Sequence, residues 1–245
     1  MKDNFSNQAA LYARYRPGYP RALFDFIFEQ VPEKHCAWDC ATGNGQTAAV
    51  LATVFDQVYA TDISDKQLEQ AEKAPRLFYS RQPAEHTNFP NRFFDLVTVS
   101  QALHWFDFDL FYKEVNRVLK PGGWLAAWMY ALLKISPAID EIITTYHDDT
   151  MGPYWDPERK YVTDLYRHIP FPFDEISVPE FSIAYDWTLK ELEGYFYTWS
   201  AYQQYKQVHE QNPVEELMRE IGGHWVGERM RVCFPVYLRM GRIVS

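Results

Sequence analysis

Cysteine is scarce in this chain. Three residues in 245, Cys36, Cys40 and Cys233, make an odd count with no C-x-x-C pair. A disulfide framework is therefore not expected; reduced thiols in a cytoplasmic protein are. Long apolar runs are missing as well. The longest, Trp124 to Leu133, is too short to cross a bilayer, and the polar N-terminus has no signal core, so no membrane role is expected. Basic residues are outnumbered, 24 Lys and Arg against 33 Asp and Glu, for a net charge of −9. No Lys/Arg-rich run offsets this, which argues against a nucleic-acid partner. Internal repeats and low-complexity tails are absent, and no metal site is expected.

What remains is globular in composition, with 47% hydrophobic and 23% charged residues. At about 150 residues per domain, 245 residues are long for one domain and short for two. One α/β domain carrying a lid fits best, and such a chain buries roughly 70% of its unfolded surface.

The chain is organised around Trp38-Asp39-Cys40-Ala41-Thr42-Gly43-Asn44-Gly45-Gln46. An acidic residue leaves an apolar run, two glycines follow, and a helix-forming segment begins at Thr47. Glycine tolerates positive φ and lets a ligand reach bare backbone, and a helix start adds unpaired N–H groups with partial positive charge. A nucleotide-like ligand suits such a turn. Gly43 to Ala48 also fits the dinucleotide fingerprint G-x-G-x-x-G/A, so a nicotinamide-dependent oxidoreductase stands as an alternative, and an ordinary tight turn is the plain reading.

In chain order, a short helix before Pro17 is followed by the breaker Pro17-Gly18-Tyr19-Pro20 and a second helix, Arg21 to Gln30, with Phe24, Ile27 and Phe28 as its apolar stripe. Strands are expected at Cys36 to Cys40, Gln57 to Thr61, Leu77 to Tyr79, Phe93 to Ser100 and Trp124 to Tyr130. Ser64 and Gln67 form a capping box for a helix from Asp65 to about Ala74. Asp107 to Leu119 is a helix terminated by Lys120-Pro121-Gly122-Gly123. Strands alternating with helices predict a mostly parallel sheet covered on both faces, with ligands at the carboxyl ends of the strands. Beyond Lys134 proline and aromatics become frequent. Helices are expected at Pro137 to Thr150, Leu189 to Gln207 and Pro213 to Gly222, with a helix–loop cover over Pro153 to Phe173. Strands are expected at Phe181 to Trp187 and Arg231 to Leu238, where Pro235 suggests an edge or a bulge.

Asp62 follows Gly45 by 17 positions and ends the second strand. A carboxylate there accepts hydrogen bonds from the two ribose hydroxyls of a nucleoside. A surface charge at a helix N-terminus is the alternative.

With these residues in place, the chain resembles the class I S-adenosylmethionine (SAM) dependent methyltransferases over nearly its full length, and within them the trans-aconitate and fungal cantharidin-responsive subgroup. The resemblance rests on Tyr12…Arg16-Pro17-Gly18-Tyr19-Pro20, on Asp39 to Gly45, on Asp62, and on Ala84-Glu85. It rests also on Gln101-Ala102-Leu103-His104-Trp105-Phe106 followed by Leu119-Lys120-Pro121-Gly122-Gly123. It implies a Rossmann-like, mostly parallel seven-stranded sheet with helices on both faces and a helical, aromatic lid after the fifth strand. The expected division is residues 1–32 as lid helices, 33–133 as cofactor core, 134–230 as substrate cover and 231–245 as the last strand. It implies SAM as cofactor and a methyl transfer to a small-molecule acceptor, with a carboxylate as one candidate, by a monomer or homodimer. A non-catalytic SAM-binding protein is the further alternative.

Carried over by residue, Gly43 and Gly45 admit the amino-acid end of SAM, Asp39 organises the loop and favours its ammonium, and Asp62 holds the ribose. Ala84 and Glu85 border the adenine, Ser100 and Gln101 close the site, and Ala41 and Ile63 join the cofactor-binding set. Tyr12, Arg16 and Tyr19 fold over the cofactor, with Arg16 facing its carboxylate. The family often has glycine where this chain has Ala41, which implies a slightly altered loop. His104 is a candidate base, or a structural histidine beside Trp105. Trp155, Trp187, Tyr195, Trp199 and Tyr202 either wall an apolar pocket or pack as core. Arg229, Arg231 and Arg239 either grip an anionic substrate or lie on the surface.

Overall fold

The computed structural model describes Tyr15 and residues 17–243. Tyr12, Arg16 and the helix expected before Pro17 lie outside the described residues. Helix α1 (Arg21–Gln30) starts directly after Pro20, buries Leu23, Phe24, Ile27 and Phe28, and stops where Val31 turns extended ahead of Pro32.

Five strands then run parallel: β1 (Cys36–Cys40), β2 (Gln57–Asp62), β3 (Leu77–Arg81), β4 (Phe94–Ser100) and β5 (Leu119–Tyr130). Between them lie α2 (Gln46–Leu51), α3 (Asp65–Glu69) and α4 (Phe108–Val118). After β5 come α5 (Pro137–Thr145), continued by a π turn over Tyr146–Thr150, then α6 (Arg159–Thr163), β6 (Asp174–Glu175) and β7 (Phe181–Trp187). The chain ends with α7 (Leu189–Phe196), α8 (Ser200–Val208), α9 (Pro213–Gly222) and β8 (Met230–Arg242).

The sheet order is β3-β2-β1-β4-β5-β8, with β8 antiparallel to β5 and to both β6 and β7 on its other flank. The expected seven positions are present. The two-residue β6 shares the seventh with β7 and makes eight strands among the described residues. Alternation within the strands divides the core. Ala37, Val58, Ala60, Leu96, Ala126 and Trp128 pack on the α1 and α2 side, while Trp38, Val97, Val99, Leu125, Ala127 and Met129 pack on the α4 side. β4 is buried from Phe94 to Val99, as a parallel strand covered on both faces must be.

Four elements differ from expectation for local reasons. α3 keeps its Ser64 cap but ends at Glu69, and the Glu72 carbonyl accepts from the Tyr79 phenol at 2.8 Å instead of from a helical amide. The helix expected over Leu189 to Gln207 breaks between α7 and α8. There Thr198 turns its hydroxyl onto the Tyr195 carbonyl at 2.6 Å, and Trp199 adopts an extended backbone. β5 begins at Leu119, with Lys120 to Gly123 bulged outward between the Phe94–Leu119 and Leu96–Trp124 pairs, and Lys120 Nζ reaches Asp95 Oδ1 at 2.6 Å. Pro235 lies in an interior strand, not an edge. Its carbonyl accepts from Ala131 N just past the end of β5, where no ladder partner needs the missing N–H.

Candidate active site

A cavity opens at the carboxyl edge of the sheet, where β1, β2 and β4 end. Its floor is the turn after β1. Gly43 (φ +57°) and Gly45 (φ +83°) hold the left-handed region. A Cβ on Gly43 would meet only Gln67 Oε1, at 4.0 Å, so this backbone is open to a ligand. A Cβ on Gly45 would collide with Tyr79 Oη, so the phenol fills the space behind the helix start. Ala41 also sits at φ +55°, which explains why glycine is favoured there: a Cβ in this region costs roughly 1–2 kcal/mol.

Buried hydrogen bonds fix the turn. Thr42 N donates to the Thr61 carbonyl at 2.9 Å, tying the turn to β2. Asp39, fully buried, accepts from Thr42 Oγ1 at 2.5 Å and from Thr98 Oγ1 at 2.7 Å. Burial pushes its carboxyl up to about 6, against the pull of the two threonine hydroxyls. Asp62, at the end of β2, accepts from Gly43 N and Ser64 N, each at 2.9 Å. Its carboxylate thus joins the turn to the next crossover and lines the cavity. On the far side Thr47 Oγ1 donates to Ser100 Oγ at 3.3 Å. Gln101, at φ +55°, is pinned by its N–H to the Trp128 carbonyl (2.8 Å) and its Oε1 to Tyr130 N (2.9 Å).

Tyr19, Ala41, Gly43 and Asp62 line this cavity together with Ile63, Ser100, Gln101 and His104. Asp39 and Gly45 lie behind the wall and shape it. Ala84 and Glu85 are off the wall; Ala84 is buried, and Glu85 Oε1 accepts from Asp107 N at 3.3 Å. Tyr19 packs edge-on against Trp128, 5.5 Å between centroids. His104 is 5% exposed, and its Nδ1 lies 2.8 Å from Tyr166 Oη. Burial, and secondarily the positive charge of Arg159, holds its imidazole down to about 3, so it is neutral.

The segment between β5 and β8 closes the opposite wall with Trp155, Asp156, Arg159 and Ser200. Trp155 is the one of the five expected cover aromatics on the wall. Trp187, Tyr195 and Trp199 are core, and Tyr202 packs against it. Arg159 is the cation that sequence reasoning missed. Its guanidinium sits 4.6 Å from the Trp155 ring centroid, and it is the one Lys or Arg on the wall among the described residues. Arg229, Arg231 and Arg239 are engaged elsewhere, with Glu191, Asp186 and Glu175 respectively. A nearby Trp and a short helix start were the only signals for Arg159, and neither is specific.

Bare backbone at Gly43 and a carboxylate one strand away fit a nucleoside cofactor with an amino-acid end. Comparisons with known proteins agree. A family model described as a methyltransferase domain matches residues 38–127. A relative from Dictyostelium discoideum whose name places it among methyltransferases is 30% identical over 249 residues, covering 98% of this chain and 95% of its own. A solved structure from Anaeromyxobacter dehalogenans, described as a type II methyltransferase, is 36% identical with a TM-score of 0.87, covering 94% of this chain and 99% of that one. The same fold recurs in a Haemonchus contortus phosphoethanolamine N-methyltransferase in complex with phosphomonomethylethanolamine and S-adenosylhomocysteine. There the identity is 18% and the TM-score 0.52, with 98% of this chain and 58% of that one covered. The nicotinamide reading of the glycines is thereby set aside, and the chain belongs to the class I SAM-dependent methyltransferases.

Proposed function

We propose that this enzyme methylates a carboxylate of a small-molecule acceptor in the cytoplasm, as its resemblance to the trans-aconitate subgroup implies. The observation that carries the reading is the pairing, in one cavity, of a cation with a histidine that does not serve as a base. Arg159 and neutral His104 line the same cavity. An alcohol or ammonium acceptor has to lose a proton, and a group held to about 3 takes one up poorly at neutral pH. A carboxylate is already deprotonated, and a guanidinium is its natural partner.

In this reading Asp62 accepts from the ribose, and the Gly43 backbone faces the amino-acid end. Asp39 holds the turn from behind, and Ile63 flanks the nucleoside. Ser100, Gln101 and Tyr19 enclose the cofactor, with Ala84 and Glu85 outside the wall. When bound, SAM supplies a methyl carbon made electrophilic by its positive sulfur. The protein's work is then alignment and exclusion of water. Trp155 and Tyr19 provide apolar walls, and Arg159 sets the acceptor's orientation.

Incubation with methyl-labelled SAM and a pool of small carboxylic acids tests this. A labelled product that mild alkali cleaves to methanol is expected. Label that survives alkali would overturn the carboxylate acceptor while leaving methyl transfer intact.

A further inference from the structure

We propose that Tyr166 is a positioning residue that fixes His104 as an Nε2–H hydrogen-bond donor toward the acceptor. The proposal rests on the reading that the acceptor enters the cavity His104 lines.

The tautomer follows from what is left to pair. Tyr166 is fully buried, and its hydroxyl lies 2.8 Å from His104 Nδ1. The phenol hydrogen needs an acceptor, and among the described residues Nδ1 is the one in reach. If Nδ1 carried the proton, it would donate to the phenol oxygen and strand the buried O–H. Burial keeps the phenol protonated, and burial with Arg159 keeps the imidazole neutral. A neutral imidazole has one proton, and it therefore resides on Nε2.

The backbone is arranged for this bond. Leu165 and Tyr166 both hold positive φ, +56° and +61°, which consecutive non-glycine residues adopt only when their surroundings compel it. Tyr166 N donates to the Tyr161 carbonyl at 2.8 Å, and the Tyr166 carbonyl accepts from Arg239 Nη1 at 3.1 Å and Ile169 N at 3.2 Å. The turn is thus clamped on both sides. Nε2 has no partner among the described residues, although the ring is 95% buried and forms part of the cavity wall. An N–H there offers a directed donor to an acceptor oxygen.

Long-range proton–nitrogen spectra of the full chain with 15N-labelled histidine read the tautomer directly, with His104 identified by the signals lost in His104→Gln. The expected result is a protonated Nε2 and an unprotonated Nδ1. Tyr166→Phe should give averaged tautomers with unchanged SAM affinity. Acetate, added as a carboxylate probe to the S-adenosylhomocysteine complex, should shift the Nε2–H signal. A protonated Nδ1 in the wild type overturns the proposal, as does an Nε2–H signal that acetate leaves unmoved. If Tyr166→Phe does not fold, the wild-type spectrum decides. Failure of the carboxylate-acceptor reading shows separately, in the alkali test above, and leaves the tautomer measurement intact.

Discussion

The two walls of the cavity are built by different means. The wall we assign to the cofactor is made of strand ends, a turn at positive φ and the Asp62 carboxylate, which accepts two backbone N–H groups, so its precision is backbone precision. The wall we assign to the acceptor is made of side chains from a short helix, a turn and a helix start (Trp155, Asp156, Arg159 and Ser200), held by aromatic packing. A rigid wall suits a ligand shared by a whole family, and a side-chain wall can change its ligand without moving the sheet.

Substitutions on each wall should therefore separate cleanly. The largest effect is expected for Asp62→Ala, which removes a charged acceptor worth roughly 1.5–3 kcal/mol, or about one to two decades of SAM affinity. Calorimetric titration checks it, and unchanged affinity in a folded variant would take Asp62 out of the ribose site. Arg159→Gln should raise the acceptor KM by about tenfold, the loss of one charge-assisted bond, with SAM affinity unchanged. If SAM binding weakened as much as acceptor binding, the two walls would not be independent.

Asp39 supplies a pH test confined to the cofactor wall. Its carboxyl is raised to about 6 in the native protein, against about 3.9 in an unfolded chain. Between those values the native state holds the proton longer, so stability falls as pH rises through the window and is level above it. Asp39→Asn bears no charge and should gain on the wild type across that window, at most about 1.4 kcal/mol per pH unit. Urea unfolding at a series of pH values reads the difference; parallel curves would mean that no such buried charge exists. The smallest effect is expected for Ala41→Gly. It relieves a left-handed alanine costing roughly 1–2 kcal/mol but gives back about 0.5–1 kcal/mol of chain entropy. A modest rise in thermal midpoint is expected, and a fall would show the Ala41 methyl to be packed usefully.

The contrast also explains what the sequence discloses. Asp62 and Gly43 are readable because strand ends and positive-φ turns leave marks in residue type and spacing. The parallel core is readable for the same reason: β4 is rich in apolar and β-branched residues, and α1 shows its stripe. Arg159 leaves no such mark. Arg229, Arg231 and Arg239 have an equal claim in one dimension, and only packing sets them apart. The break between α7 and α8 is hidden likewise, because Leu192, Phe196 and Trp199 keep helical spacing while the Thr198 hydroxyl takes the Tyr195 carbonyl. His104 stands between the cases: its place after β4 is legible, but its lack of basicity depends on burial and on the charge of Arg159, which only the folded chain brings to it.

The position of β8 has a bearing on how the molecule comes into being. Among the described strands this one is made last, yet β5, β6 and β7 all take their antiparallel partner from it. Strands β1 to β5 can pair as they emerge, since each finds its neighbour in chain already synthesised. Strands β6 and β7 have to wait for their partner until β8 is made. The carboxyl edge of β1, β2 and β4 can therefore take shape before the wall that carries Trp155 and Arg159 is in place.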